Sequence, residues 1–178
     1  GSSHYTEVLD SVEIYDPNTD VWQLVAPMQT PRAGATATLL ADGRVLIAGG
    51  TKGNGQNQLG DVNDLLGTAV RTTEIYDPAT DVWVSGPNLQ EPKAGASSTT
   101  LQDGRVMIAG GDSATGATSV SEIYDPATGI WSTGPNMAVP RTFHRAVTLQ
   151  DGRILMTLGA TSDGPLASNE LYNPIIDE

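Results

Sequence analysis

Glu13-Ile14-Tyr15-Asp16-Pro17-Asn18-Thr19-Asp20-Val21-Trp22 returns as Glu74-Ile75-Tyr76-Asp77-Pro78-Ala79-Thr80-Asp81-Val82-Trp83. It returns again as Glu122-Ile123-Tyr124-Asp125-Pro126-Ala127-Thr128-Gly129-Ile130-Trp131, and its opening alone as Glu170-Leu171-Tyr172-Asn173-Pro174. Successive copies are offset by 61, 48 and 48 residues. A second marker, Asp42-Gly43-Arg44, recurs at Asp103-Gly104-Arg105 and Asp151-Gly152-Arg153 with the same intervals. Independent markers that keep one spacing define a repeating unit, here of about 48 residues, with a 13-residue insertion in one copy.

Each unit reads as four short strands. The first is Ala35 to Leu40, matched by Ala96 to Leu101 and Arg145 to Leu149; the second is Arg44 to Ala48, ending at Gly49-Gly50, with a copy ending at Gly110-Gly111. The Asp-Gly pair between them predicts a two-residue type I′ hairpin. The Glu-Ile-Tyr run is the third strand and the Val-Trp run starts the fourth. Asp-Pro-x-Thr-(Asp/Gly) joins these two, with Asp20, Asp81 or Gly129 suited to a left-handed conformation. No sustained helical period of apolar residues appears, so the chain reads as all-β. A lone four-stranded meander cannot bury both faces, so the units must stack face to face. Tyr15, Trp22, Tyr76, Trp83, Tyr124 and Trp131 are then wedges between sheets, with Tyr172 their counterpart in the last copy. The Gly pairs permit a backbone path or approach that a Cβ would forbid.

Composition agrees. Of 178 residues, 20 are Gly and 11 Pro, the turn formers such a chain needs. A formal net charge of −12 argues against a nucleic-acid backbone or an anionic membrane as partner. Zero Cys excludes a disulfide framework, a thiolate metal site and a Cys nucleophile. No apolar run reaches the roughly 20 residues of a membrane-spanning helix. Gly1-Ser2-Ser3 reads as a cloning remnant, leaving 4–178 as one domain: a half unit at 4–28, a unit with the insertion at 31–89, a unit at 92–137 and a partial unit at 140–174. The acidity, the Asp-Gly-Arg turns and the lack of Cys tilt the reading toward a bacterial exported or cell-surface protein over a cytoplasmic one.

The Gly-Gly after the second strand, with a Tyr and Trp seven positions apart in the sequence, resembles the kelch repeat of β-propellers. The Pro-Arg entries (Pro31-Arg32, Pro140-Arg141, with Pro92-Lys93 as a variant) fit that family, and the resemblance runs from about Val8 to Pro174. Its Asp-Gly-Arg form is similar to the branch that includes the propeller domains of galactose oxidase and glyoxal oxidase. In the last copy Gly159-Ala160 is read in place of Gly-Gly, and no Trp follows. The resemblance implies a propeller segment of about three four-stranded blades, in all thirteen strands. Such an arc leaves apolar faces open at both ends. Two copies closing a ring of about six blades, or a longer chain, would cover them, and a homodimer is the favoured expectation.

Candidate chemistry is sparse. Arg141-Thr142-Phe143-His144 is similar to the Arg-x-Tyr-His motif of the copper radical oxidases, but Phe143 replaces the ligating Tyr, and one His cannot build a copper site. His144 at a strand start is more simply a packing or hydrogen-bonding residue, and no metal or cofactor is expected. Arg32, Lys93 and Arg141 occupy equivalent places. They would either ring one mouth of the axial channel and bind a carboxylate, or pair with Glu13, Glu74, Glu122 or Glu170, which also recur once per unit. In the insertion, Asp61, Asn63 and Asp64 supply oxygen ligands but lack an EF-hand frame; a contact loop for a partner or second subunit is favoured over a calcium site, and simple decoration is the default. No nucleotide, serine-hydrolase or zinc-protease motif is present. The expected function is a non-catalytic binding module that self-associates, with a protein or carbohydrate ligand. The alternative is a fragment of a galactose-oxidase-like oxidoreductase or carbohydrate-active enzyme.

Overall fold

The computed structural model describes residues 6–52, 58–59 and 68–174. The loop residues Asp61, Asn63 and Asp64, together with His4 and Gly1-Ser2-Ser3, lie outside the described residues.

Four antiparallel sheets follow one another along the chain. Val12–Asp16 pairs with Val21–Val25. Thr36–Leu39, Val45–Ala48, Thr73–Asp77 and Val82–Ser85 form a four-stranded meander in chain order, the first full blade. Ser97–Thr100, Val106–Ala109, Ser121–Asp125 and Ile130–Thr133 form the second, and Arg145–Thr148, Ile154–Thr157 and Glu170–Tyr172 make a three-stranded last sheet. These sheets hold thirteen strands, and no helix occurs among the described residues. The repeats become blades because their central strands can be buried on both faces, as Val106–Ala109 is along its whole length.

The innermost strands of the two blades and of the last sheet lie side by side. Their hydroxyls meet across the gaps, with Thr38 Oγ1 2.6 Å from Ser98 Oγ and Thr99 Oγ1 2.7 Å from Thr148 Oγ1. Small hydroxyl side chains suit this place, because they can hydrogen-bond across the gap between neighbouring sheets. The core lies farther out. Leu40, Leu46 and Ile75 of the first blade pack with Val106, Ile108 and Trp131 of the second. Leu101, Met107 and Ile123 of the second pack with Ile154 and Met156 of the last sheet. Sheets stacked in this way around inner strands form an arc of a propeller, and the arc is not closed.

Two local expectations are corrected. The Asp-Gly turns are three-residue loops, not two-residue type I′ hairpins. Leu40 N–H donates to Arg44 O at 2.8 Å and Gly43 N–H to Leu40 O at 3.0 Å. Gly43 has φ +88° while Asp42 is not left-handed, the pattern of a type I turn followed by a glycine bulge. The Asp is selected for its side chain, because Asp42 Oδ1 accepts Arg44 N–H at 3.1 Å and Oδ2 lies 2.7 Å from the guanidinium. The second correction concerns the last copy. The residues equivalent to Gly49-Gly50 and Gly110-Gly111 are Leu158-Gly159, one position earlier than the sequence reading placed them. Leu158 keeps the left-handed backbone, at φ +66°.

Candidate functional site

The repeated cations and glutamates meet inside the arc. Arg32 enters the first blade and pairs with Glu74 on its third strand, at 2.9 Å. Lys93 lies 3.7 Å from Glu122, and Arg141 2.9 Å from Glu170. All three cations are buried. Each glutamate also reaches back to the preceding sheet. Glu74 accepts the N–H groups of Gln29 and Thr30, at 2.6 and 3.1 Å. Glu122 accepts those of Gln90 and Glu91, and Glu170 those of Ala138 and Val139. One carboxylate thus ties the linker leaving one sheet to the cation entering the next.

The three seams differ in quality. Arg32 donates to Glu74, to Gly49 O at 2.8 Å, to Thr72 O at 2.9 Å and to Thr72 Oγ1 at 3.0 Å. Lys93 donates to Val120 O at 3.1 Å, and its ammonium lies farther from its glutamate. Burial pushes the Lys93 pKa down, against the pull of Glu122. Lys93→Arg is expected to add a planar fork matching that of Arg32. The gain should be about 1 kcal/mol, raising the melting midpoint by roughly 2–4 °C in calorimetry.

His144 is buried, with Nε2 2.7 Å from Ser97 Oγ, and Nδ1 has no partner among the described residues. Burial, with Arg141 and Arg145 nearby, pushes its pKa down to about 4, against the pull of Glu170. The unfolded chain therefore takes this proton first as pH falls. The stability it governs is fully present above about pH 6.5, and it is lost as pH falls toward about 4. The loss should approach about 3 kcal/mol. Urea midpoints at pH 7 and pH 4, compared between the native chain and His144→Gln, isolate this contribution from that of the carboxylates. Phe143 replaces Gly34 and Gly95 at the inner mouth and keeps their left-handed backbone, at φ +53°. Its N–H donates to Gly95 O at 2.7 Å, as Gly95 N–H donates to Gly34 O at 2.8 Å.

The tryptophans show what stacking does. Trp83 Nε1 donates to Ala26 O at 2.7 Å and Trp131 Nε1 to Pro87 O at 2.9 Å, each crossing to the preceding sheet. Both are buried, 8% and 7% exposed, while Trp22 is 64% exposed. Tyr15 and Trp22 still pair across their strands, ring centroids 5.3 Å apart. Two clefts flank the arc's incomplete sheets. One of about 620 Å³ lies between the N-terminal strand pair and the first blade, lined by Ile14, Leu39, Val45, Ile47 and Trp83. The other, about 760 Å³, lies beside the last sheet, lined by Leu101, Ile123, Thr133, Pro135 and Tyr172.

Comparison with known proteins places this geometry. The solved structure of YjhT superimposes with a TM-score of 0.70 at 14% identity, covering 91% of this chain and 49% of that one. Beta-scruin of Limulus polyphemus is 33% identical over 116 residues, 64% of this chain and 12% of its own length. Kelch-like protein 1 of Mus musculus is 46% identical over 52 residues, 29% of this chain and 7% of its own. The mouse influenza virus NS1A-binding protein homolog is 43% identical over 54 residues, 30% of this chain and 8% of its own. The chain therefore spans a small part of these relatives' length. The family model for the kelch motif matches residues 1–29, 31–90 and 95–138, most of the sequence. With its Gly-Gly turns, its Tyr-Trp pairs and its stacked four-stranded blades, the chain belongs to the kelch-repeat family.

Proposed function

We propose that this chain is a non-catalytic protein-interaction module that works by self-association, two copies covering each other's open faces. The exposure of Trp22 carries the reading. The repeat builds this residue to be buried against a neighbouring sheet, and its two counterparts are. Leu24 beside it is also largely exposed, as are Val147 and Leu171 on the last sheet. Apolar surface grouped in this way marks an interaction face. A relative named for binding influenza virus NS1A supports the class. Light scattering over a range of concentrations tests it, with twice the mass of one chain as the expected result. A well-folded monomer throughout would refute self-association. Hydrogen peroxide formed on primary alcohols would refute the non-catalytic part.

A further inference from the structure

Resting on the protein-interaction reading and not on self-association, we infer that the inner mouth between the second blade and the last sheet takes a lysine side chain of a partner protein. Its ammonium meets Asp112, and its methylene stem lies on the ring of Phe143.

Arg32-Ala33-Gly34-Ala35 and Lys93-Ala94-Gly95-Ala96 enter the two blades with the same three small residues, whereas the last sheet opens on Arg141-Thr142-Phe143-His144. Bridges join Ala33 to Thr51, Ala94 to Asp112 and Thr142 to Ala160, so Asp112 stands where the other sheets have neutral residues. What the scaffold needs for stacking it repeats. The departures Asp112, Thr142 and Phe143 are not repeated, and they converge on one spot. Thr142 Oγ1 donates to Asp112 Oδ2 at 2.9 Å across the seam. A Cβ placed on Gly95 would lie 2.7 Å from Thr142 Oγ1 and 3.0 Å from Cε1 of the Phe143 ring. The ring is thus folded back onto the second blade, beside the hydroxyl that holds the carboxylate. Both walls of the spot belong to sheets that pack on each other, so it does not depend on either end of the arc.

Two of these residues carry a cost that stacking does not explain. Asp112 is 6% exposed, and its Oδ1 accepts no hydrogen bond among the described residues. Glu74 and Glu122, also buried, each face a cation, but among the described residues no Lys or Arg lies within ion-pair distance of Asp112. Burial pushes its carboxyl up, and only the Thr142 hydroxyl pulls it down. A buried carboxylate without a counter-charge is destabilising until a cation reaches it. Phe143 is 50% exposed in a left-handed conformation that bulky side chains rarely adopt. Strain of this kind clusters where a residue serves a ligand. An aromatic face beside an unpaired carboxylate suits a cation on an alkyl stem. With Oδ2 engaged by Thr142, one oxygen is left, which accepts an ammonium N–H but not the two-pronged fork of a guanidinium. The net charge of −12 draws such a group in.

Amide NMR on the isotopically labelled full chain tests the site, with the peptide acetyl-Gly-Ser-Lys-Ser-Gly-amide as probe. The peptide should shift the amides of Asp112, Thr142 and Phe143 with a dissociation constant of about 1 mM. Norleucine in place of its lysine should weaken binding at least about tenfold, and arginine about threefold or more. Methyl galactoside, which offers the ring a face but no charge, should shift none of these amides. Asp112→Asn keeps an acceptor for Thr142 and removes the charge, and Phe143→Gly restores the repeat residue. Each should bind the lysine peptide at least about tenfold more weakly. Asp112→Asn should melt about 2 °C or more above the native chain, and Phe143→Gly within about 2 °C of it, which residues kept for the fold would not do. Equal binding of the lysine and norleucine peptides, equal binding by Asp112→Asn, an equal response to methyl galactoside, or a lowered melting midpoint of Asp112→Asn overturns the site. A chain that self-associates by light scattering but shifts no amide with the peptide overturns the site alone. A monomer that binds the peptide overturns self-association alone.

Discussion

Glu74→Ala should cost about 3–5 kcal/mol, the range for breaking a buried ion pair from one side. Arg32 is left with a side chain that is 1% exposed and no carboxylate beside it. Gln29 N–H and Thr30 N–H lose their acceptor in the same step. The linker from the N-terminal strand pair would then be held to the first blade by the bonds of Arg32 to Gly49 and Thr72 and by those that Asp81 and Trp83 make to Ala26. Glu122→Ala should cost less. Lys93 is already pushed toward neutrality by burial and can lose its proton when Glu122 is removed. Asp42→Ala breaks an exposed pair and should cost under about 1 kcal/mol. Urea midpoints of the three variants should fall in that order. An Asp42→Ala loss as large as that of Glu74→Ala would show that the seams do not carry the stability assigned to them.

The third strand was legible because the sequence states it four times, and Tyr76 opposite Trp83 follows from the constant spacing around a short turn. The left-handed Asp20, Asp81 and Gly129 were legible too, since few residues can close that turn. The role of Glu74 was half visible. Its pairing with Arg32 was one of two open alternatives, but its bonds to Gln29 and Thr30 are made to backbone N–H groups, and backbone partners leave no mark on residue identity. The hairpin at Asp42-Gly43 was misread because the same dipeptide serves both a type I′ turn and a type I turn with a bulge. What separates them is the count of loop residues, set by the pairing of Leu39 with Val45. Nor could sequence alone show that Trp22 is exposed while Trp83 and Trp131 are buried. The three sit in near-identical local sequences and differ only in whether a sheet precedes them in space.

Gly49→Ala should be among the most damaging single-methyl changes in the chain, at more than about 3 kcal/mol against a typical total of 5–15 kcal/mol. Its ideal Cβ would lie 2.2 Å from Lys93 O, a backbone atom with nowhere to go. That carbonyl also accepts Gly50 N–H at 2.7 Å, so any retreat opens the seam between the blades. Backbone conformation alone does not explain such a cost. Gly43 has φ +88° and a Cβ there would meet nothing within 4 Å, so Gly43→Ala isolates the left-handed strain, about 1–2 kcal/mol. Leu158 makes the same separation naturally. It stands at the repeat equivalent of Gly49 with φ +66° and is 59% exposed. A branched side chain is tolerated in that conformation when no following blade brings a carbonyl against it. Denaturant unfolding of Gly49→Ala and Gly43→Ala therefore measures blade contact apart from backbone strain. Equal losses would mean that the glycine pair is kept for its dihedral angles and not for the approach of the next blade.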